Sequence, residues 1–338
     1  MPVGNSTAAT SNHFSSSDKK IISDRKPRLI DRHGRILHKL RVQLTDACNF
    51  RCFYCMPVNV KFFPAAQLLD AKELVDICAN LVDSGIDEMR ISGGEPTLRE
   101  DFEDIVSGLS ALPLLKLGVT TNGFLLEKKL TFLKNTRCQH INVSLDSLNE
   151  KKFNEITKTP HFETVRTAII KAKETGFFVK VNVVLMRGLN DDEVFDFLDF
   201  SATHQIEVRF LELMKIGPRH QKHSRMFVSA KEIIGRIEKR EQLILQSVNR
   251  DSTSFNFITS SSARIGFIAS ESLPFCGFCS RLRLTATGIL RACLMSEAGV
   301  NLRGVSKSEY QKLLCAVMEM KPFERIDSIR QPMYQIGG

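Results

Sequence analysis

Six times between residues 40 and 213 a short β-like run is followed by a stretch with helical spacing. The runs are LRVQLT (40–45), EMRIS (88–92), KLGVTT (116–121), HINVSL (140–145), VKVNVVL (179–185) and IEVRFLEL (206–213). The clearest helix follows the first run. Asp70 and Glu73 form a capping-box start, Leu74, Ile77, Cys78, Leu81 and Val82 make one apolar stripe, and Gly85 ends it. Asn190 and Glu193 predict another N-cap, before VFDFLDF. Six strand–helix units in series predict an α/β fold: a parallel sheet with helices outside, open or curled into a barrel. Further on, Ser229 and Glu232 start a helix over KEIIGRIEKR, and short β-like pieces follow: ARIGFIA, RLRLTA and ILRACL.

Unusual residues gather where the runs end. Cys48 follows the first, SGGEPT (92–97) the second, TTNG (120–123) the third and SLDS (144–147) the fourth, while Glu212 and Met214 close the sixth. Carboxyl ends of parallel strands are where sites are built, so five coincidences point to one mouth lined by all of them. Taken singly, Gly93-Gly94 and Asn122-Gly123 read as ordinary turns.

Composition narrows the class. The 338 residues are 43% apolar and 25% charged, with 47 Lys and Arg against 38 Asp and Glu, a net charge of +9. That is a globular chain favouring an anionic partner. No apolar run approaches a membrane span. Residues 1–35 read as a flexible leader, rich in Ser, Thr, Asn and Ala, without the apolar core of a signal peptide. Six of the nine cysteines fall in two tight clusters. That favours metal or iron–sulfur ligation in a reducing compartment, a cytoplasm with an organelle matrix left open, over a disulfide scaffold. Cys78, Cys138 and Cys315 read as small buried hydrophobes.

The first cluster is Cys48-x3-Cys52-x2-Cys55. Closed zinc or cubane sites use four protein ligands, so three thiolates leave one iron of a [4Fe–4S] cluster open to a small chelating molecule. The second is Cys276-x2-Cys279-x13-Cys293. The long gap fits a hairpin turning at Thr287-Gly288 that returns Cys293 to the pair. Arg281 and Arg283, two apart, share a face of its outgoing strand and suit a phosphate or carboxylate. Spacing alone leaves a zinc ribbon and an open iron–sulfur cluster equally available here.

The first triplet with GGEP after the second run resembles the radical S-adenosylmethionine (SAM) superfamily. The second triplet running into SRLRLTATG, with a terminal IGG, resembles the GTP 3′,8-cyclase family within it, from about residue 36 to the end. The resemblance implies an incomplete (β/α)6 TIM-like barrel over 36–225, a C-terminal domain with a second iron–sulfur cluster over 226–320, and a tail over 321–338. It implies a lyase with two [4Fe–4S] clusters and SAM. A 5′-deoxyadenosyl radical then converts GTP to 3′,8-cyclo-7,8-dihydro-GTP, the first step of molybdenum cofactor biosynthesis.

By motif, Tyr54, Gly94, Ser144 and Met214 would contact SAM. Arg41, Arg90, Thr121, Lys180, Arg281 and Arg283 would contact GTP, and Arg281, Arg283, Gly337 and Gly338 would support catalysis. The implied partners are a flavodoxin- or ferredoxin-like electron donor, a cyclic pyranopterin monophosphate synthase downstream and a second copy of the chain, with no membrane. Ser280, where the family often has Asn, and MKIGPRH (214–220) depart from its pattern. Two other readings stand beside this one: a two-cluster radical SAM peptide-modifying maturase, and a zinc-stabilised nucleic-acid-binding protein, which the lack of one basic run and of Trp disfavours.

Overall fold

The structure is a computed structural model and describes residues 28–57, 59–217 and 223–337. A two-strand ribbon, β1 (Leu29–Ile30) with β2 (Ile36–Leu37), opens it. The ribbon corrects the expected extent of the leader, because its turn is built inside residues 28–35: Asp31 accepts from the backbone of His33 and Arg35, each at 2.9 Å, and pairs with the Arg35 guanidinium at 2.7 Å.

The chain then alternates through β3 (Lys39–Gln43), α1 (Ala71–Asp83), β4 (Glu88–Ser92), α2 (Phe102–Ala111), β5 (Lys116–Thr121), α3 (Leu126–Lys134) and β6 (His140–Ser144). It continues through α4 (Glu150–Thr157), α5 (Phe162–Glu174), β7 (Phe178–Leu185), α6 (Val194–His204) and β8 (Glu207–Glu212). The remainder is α7 (His223–Met226), α8 (Ala230–Ile237), β9 (Leu243–Gln246), β10 (Phe255–Thr259), β11 (Arg264–Ile268), β12 (Arg281–Leu284), β13 (Ile289–Arg291), β14 (Gly299–Asn301), α9 (Lys307–Glu319) and α10 (Met333–Ile336).

Twelve strands form one sheet in the order β14-β13-β12-β3-β4-β5-β6-β7-β8-β11-β10-β9. From β12 to β11 every neighbouring pair is parallel. The last third of the chain therefore extends both edges of the barrel sheet, with β12 beside β3 and β11 beside β8.

Alternation along the strands explains what this sheet does. Leu40, Val42, Met89, Ile91, Val119, Ile141 and Val181 are buried in one continuous core with the helices. Burying such side chains contributes about 1.5–3 kcal/mol each. Their neighbours on the other face are Lys39, Arg41, Arg90, Lys116, Asn142, Lys180 and Arg209, which line a cavity. A closed TIM barrel fills its interior with packed apolar layers. This partial barrel has a polar inner face, so it encloses a basin rather than a second core.

Helix α1 begins with the expected capping box, Asp70 accepting from the Glu73 amide at 2.7 Å and Glu73 from the Asp70 amide at 3.0 Å. The second expected cap is different. Asn190 does not cap α6; its amide donates to Asp146 O at 2.6 Å and Val184 O at 2.9 Å, while Glu193 accepts from Ser147 and the Leu148 amide. Both residues brace the loop after β6 instead.

Candidate active site

The cysteine loop after β3 is held by the glycine loop after β4. Gly94 N donates to Thr45 O and Glu95 N to Ala47 O, both at 2.7 Å. A Cβ on Gly94 would overlap the Ala47 carbonyl oxygen, and one on Gly93 would lie 2.6 Å from Thr45 O. These glycines permit backbone-to-backbone contact that no larger residue allows.

Two buried carboxylates complete the scaffold. Glu95, wholly buried, accepts from the Thr121 hydroxyl at 2.7 Å, the Asn122 amide at 2.6 Å and the Thr97 hydroxyl at 2.6 Å. Asn122 then reaches Asn49 Oδ1 at 2.8 Å and Cys48 Sγ at 3.7 Å. Asp146 accepts from the Tyr54 hydroxyl at 2.7 Å and the Val184 amide at 2.9 Å. Burial lifts its carboxyl to about 6, against those two hydrogen bonds.

Cys48, Cys52 and Cys55 line the cavity, half-buried. Burial and then the Glu95 carboxylate push Cys48 up to about 11; burial, then Cys48 and Asp146, push Cys55 up to about 12. As free thiolates the three would repel one another, a penalty that a bound cationic cluster removes.

At the other flank, the β12–β13 hairpin turns where expected, with Gly288 at φ 92° and Arg283 opposite Arg291. It brings Cys276, Cys279 and Cys293 within electrostatic reach of one another. The neighbourhood is basic. Burial raises the Cys279 thiol, but Arg281 and Lys321 outweigh it and bring it to about 7. Arg281 lies 5.1 Å from the Phe275 ring centroid, donates to Asp251 O at 3.1 Å and has one buried nitrogen without a partner.

Between the flanks lies a cavity of about 380 Å³. Its cations differ in what they touch. Lys39 pairs with Asp251 at 2.9 Å, and Lys180 and Arg209 share Glu207 at 2.7 and 2.6 Å. Arg90 reaches only the Val119 carbonyl, at 3.3 Å, in the space that Gly118 leaves. Among the described residues the side chains of Arg41 and Lys116 have neither hydrogen bond nor ion pair. Desolvation, then the neighbouring Arg283, Arg90 and Arg281, drives the Arg41 guanidinium well below its usual range. The cavity is thus short of anions.

The motif-assigned residues fall into place unevenly. Arg41, Arg90, Thr121, Lys180, Arg281, Tyr54, Gly94 and Ser144 all line the cavity. The thiols of the second triplet do not; the lining stops at Arg281 on that side. Arg283 is turned to the tail, donating to Gly337 O at 2.9 Å. Met214 does not line the cavity; it packs with Cys293, Met333 and Ile336 in an apolar cluster. Gly337 (φ 67°) also accepts from Ser92 Oγ at 3.3 Å, and Gly338 lies outside the described residues. Sequence reasoning missed Asp146, Lys116, Arg209 and Tyr334. Lys116 and Arg209 were findable, because each lies on the polar face of a strand already recognised.

The model of the radical SAM superfamily matches residues 42–201, and that of molybdenum cofactor synthesis C matches residues 206–325. Over 310 residues the chain is 43% identical to the GTP 3′,8-cyclase of Synechocystis, covering 92% of this chain and 95% of that one. The chain belongs to the GTP 3′,8-cyclase family. The GTP 3′,8-cyclase of Aquifex aeolicus is 38% identical over 285 residues, 83% of this chain and 89% of that one. Among solved structures, Streptococcus suis SuiB bound to S-adenosylmethionine has a TM-score of 0.61 over 85% of this chain and 69% of that chain; at 15% identity this shows the fold alone.

The cofactors of the GTP 3′,8-cyclase family are two [4Fe–4S] clusters and SAM. The residues present fit them. Each triplet supplies three thiols, Cys48, Cys52 and Cys55 on the cavity wall and Cys276, Cys279 and Cys293 within electrostatic reach of one another, where a structural zinc ion would take four donors on one metal. A cubane instead takes each thiolate on a different iron, which keeps the sulfurs apart.

Proposed function

We propose that the chain converts GTP to 3′,8-cyclo-7,8-dihydro-GTP, the first step of molybdenum cofactor biosynthesis. The observation that carries this is one cavity with a three-thiol loop on one wall and Arg41, Arg90, Lys116 and Arg281 facing it without a carboxylate partner among the described residues. A triphosphate supplies the missing anion. When held by Cys48, Cys52 and Cys55, the first cluster with SAM would supply the one-electron radical chemistry that the cyclisation needs.

The chain's own residues position the reactants. Cys48, Cys52 and Cys55 hold the first cluster, with Gly94, Tyr54 and the unpartnered Ser144 hydroxyl around SAM. Arg41, Arg90, Lys180 and Arg281 take the phosphates, and Thr121 fixes Glu95 behind them. Cys276, Cys279 and Cys293 hold the second cluster toward the guanine. Arg283 on β12 holds the tail through the Gly337 carbonyl, Gly338 is the next residue of that tail, and Met214 packs in the apolar cluster that includes Cys293. Met333 and Tyr334 line the cavity from the tail.

The reaction needs a reduced one-electron carrier and passes an unstable nucleotide to a synthase, in a reducing compartment such as the cytoplasm; a homodimer is the expected assembly. No helix among the described residues is long and apolar enough to cross a membrane. The test is turnover under anaerobic conditions. Reconstituted protein with reductant and SAM should form 5′-deoxyadenosine and a cyclised nucleotide only when GTP is added. Deoxyadenosine release that ignores GTP overturns the reading.

A further inference from the structure

Lys321 is among the largest fully buried side chains, 1% exposed, yet among the described residues no Asp or Glu pairs with it. Its ammonium has three protons and three acceptors: Arg281 O at 2.6 Å, Ala292 O at 2.8 Å and Cys279 Sγ at 3.5 Å. The first two lie on opposite arms of the hairpin that returns Cys293 to Cys279. On the other side of the cysteine loop, Arg35 of the N-terminal ribbon donates to Cys276 O at 2.5 Å and to Pro322 O at 3.0 Å, next to Lys321. Arg35 and Lys321, nearly 290 residues apart in sequence, thus meet at the second triplet.

A buried ammonium without a counter-charge is costly, and breaking such a pair is strongly destabilising. Of the ligand sulfurs, Cys279 Sγ lies 3.5 Å from the ammonium, and Cys293 follows directly on Ala292, whose carbonyl the ammonium holds. Those sulfurs carry negative charge when they ligate iron. The arrangement is complete only with a cluster in place, because then the ammonium and the anionic centre compensate each other.

We propose that Lys321 is the counter-charge and positioning residue of the second cluster. It clamps the two hairpin arms at the spacing the three thiolates need, and its charge favours the cluster's reduced, more negative state. Through the Arg281 carbonyl it also fixes the strand that sends the Arg281 guanidinium into the cavity. The proposal rests on the two-cluster reading above, and that reading is settled first by iron and sulfide content of the wild-type chain.

The experiment compares full-length wild type with Lys321→Met, Lys321→Gln and Lys321→Arg, each reconstituted anaerobically without SAM or GTP. Redox titration followed by low-temperature EPR reads both clusters. The midpoint of the second cluster should move to lower potential in the Met and Gln variants and return toward wild type in the Arg variant, while the first cluster stays put. Loss of the second cluster alone in Met and Gln, with retention in Arg, supports the same role. An unchanged midpoint, an equal shift of both clusters, or equal loss of the second cluster in all three variants overturns it. A wild-type chain with one cluster overturns the two-cluster reading instead.

Discussion

The two cysteine triplets are chemically the same ligand set placed in opposite fields. The first lies among carboxylates: Glu95 and Asp146 stand behind Cys48 and Cys55, whose thiols are pushed up to about 11 and 12 by burial and by those charges. The second lies among bases, and Cys279 sits at about 7 because Arg281 and Lys321 outweigh its burial. The first loop is braced by glycine contacts, by hydrogen bonds to the buried Glu95 and Asp146 carboxylates, and by Arg51, which donates to the Cys48 and Phe50 carbonyls. The second is braced by two buried cations far apart in sequence, Arg35 and Lys321. The difference shows a division of labour. One site holds a cluster against a polar loop scaffold, and the other is embedded in the positive field that a triphosphate requires.

Removing one cysteine from either triplet has the largest expected effect. Cys52→Ala and Cys276→Ala should each abolish turnover and each lose about four irons per chain, one [4Fe–4S] cluster, measured by iron and sulfide content. Equal loss of all iron in both variants would erase the distinction between the sites. Gly94→Ala comes next. Its Cβ would overlap the Ala47 carbonyl, so it should cost about 3 kcal/mol by denaturant unfolding and empty the first site while the second stays loaded.

Arg281→Ala removes an unpaired cation and should weaken GTP binding about 30-fold, near 2 kcal/mol, by equilibrium titration. Arg209→Ala should cost less, because Arg209 is already neutralised by Glu207 at 2.6 Å. The smallest effect is on pH dependence. Burial, and then Arg209, hold the Lys180 ammonium down to about 8 against the pull of Glu207. A bound polyanion raises it again, so the complex holds more protons than the free chain just above pH 8. GTP affinity should therefore fall as pH rises through 8 to 9, with proton uptake visible by calorimetry in two buffers. Lys180→Met should flatten that slope.

Local pattern carried much of this into view. The runs at 88–92 and 116–121 coincide with β4 and β5, since strand and helix periods are properties of a few neighbouring residues. The hairpin at Thr287-Gly288 was legible for the same reason. What stayed hidden depends on distance along the chain. Nothing in RLRLTA says that it pairs with β3, some 240 residues earlier, or that ARIGFIA pairs with β8 on the opposite edge. Asn190 reads as a cap because the offset to Glu193 is right, but Asp146 and Val184 claim its amide first. Arg283 reads as a phosphate ligand from its register, and nothing in that register says that one of its guanidinium nitrogens donates to the tail carbonyl of Gly337. Lys321 looks like any lysine until three acceptors from distant residues surround it.

The central claim is that one triplet serves SAM and the other serves GTP. Equilibrium binding of each ligand to anaerobically reconstituted Cys52→Ala and Cys276→Ala tests it most directly. The account predicts a crossed result: Cys52→Ala loses SAM and keeps GTP, while Cys276→Ala keeps SAM and loses most GTP affinity. Parallel loss of both ligands in both variants, or of neither, would contradict it.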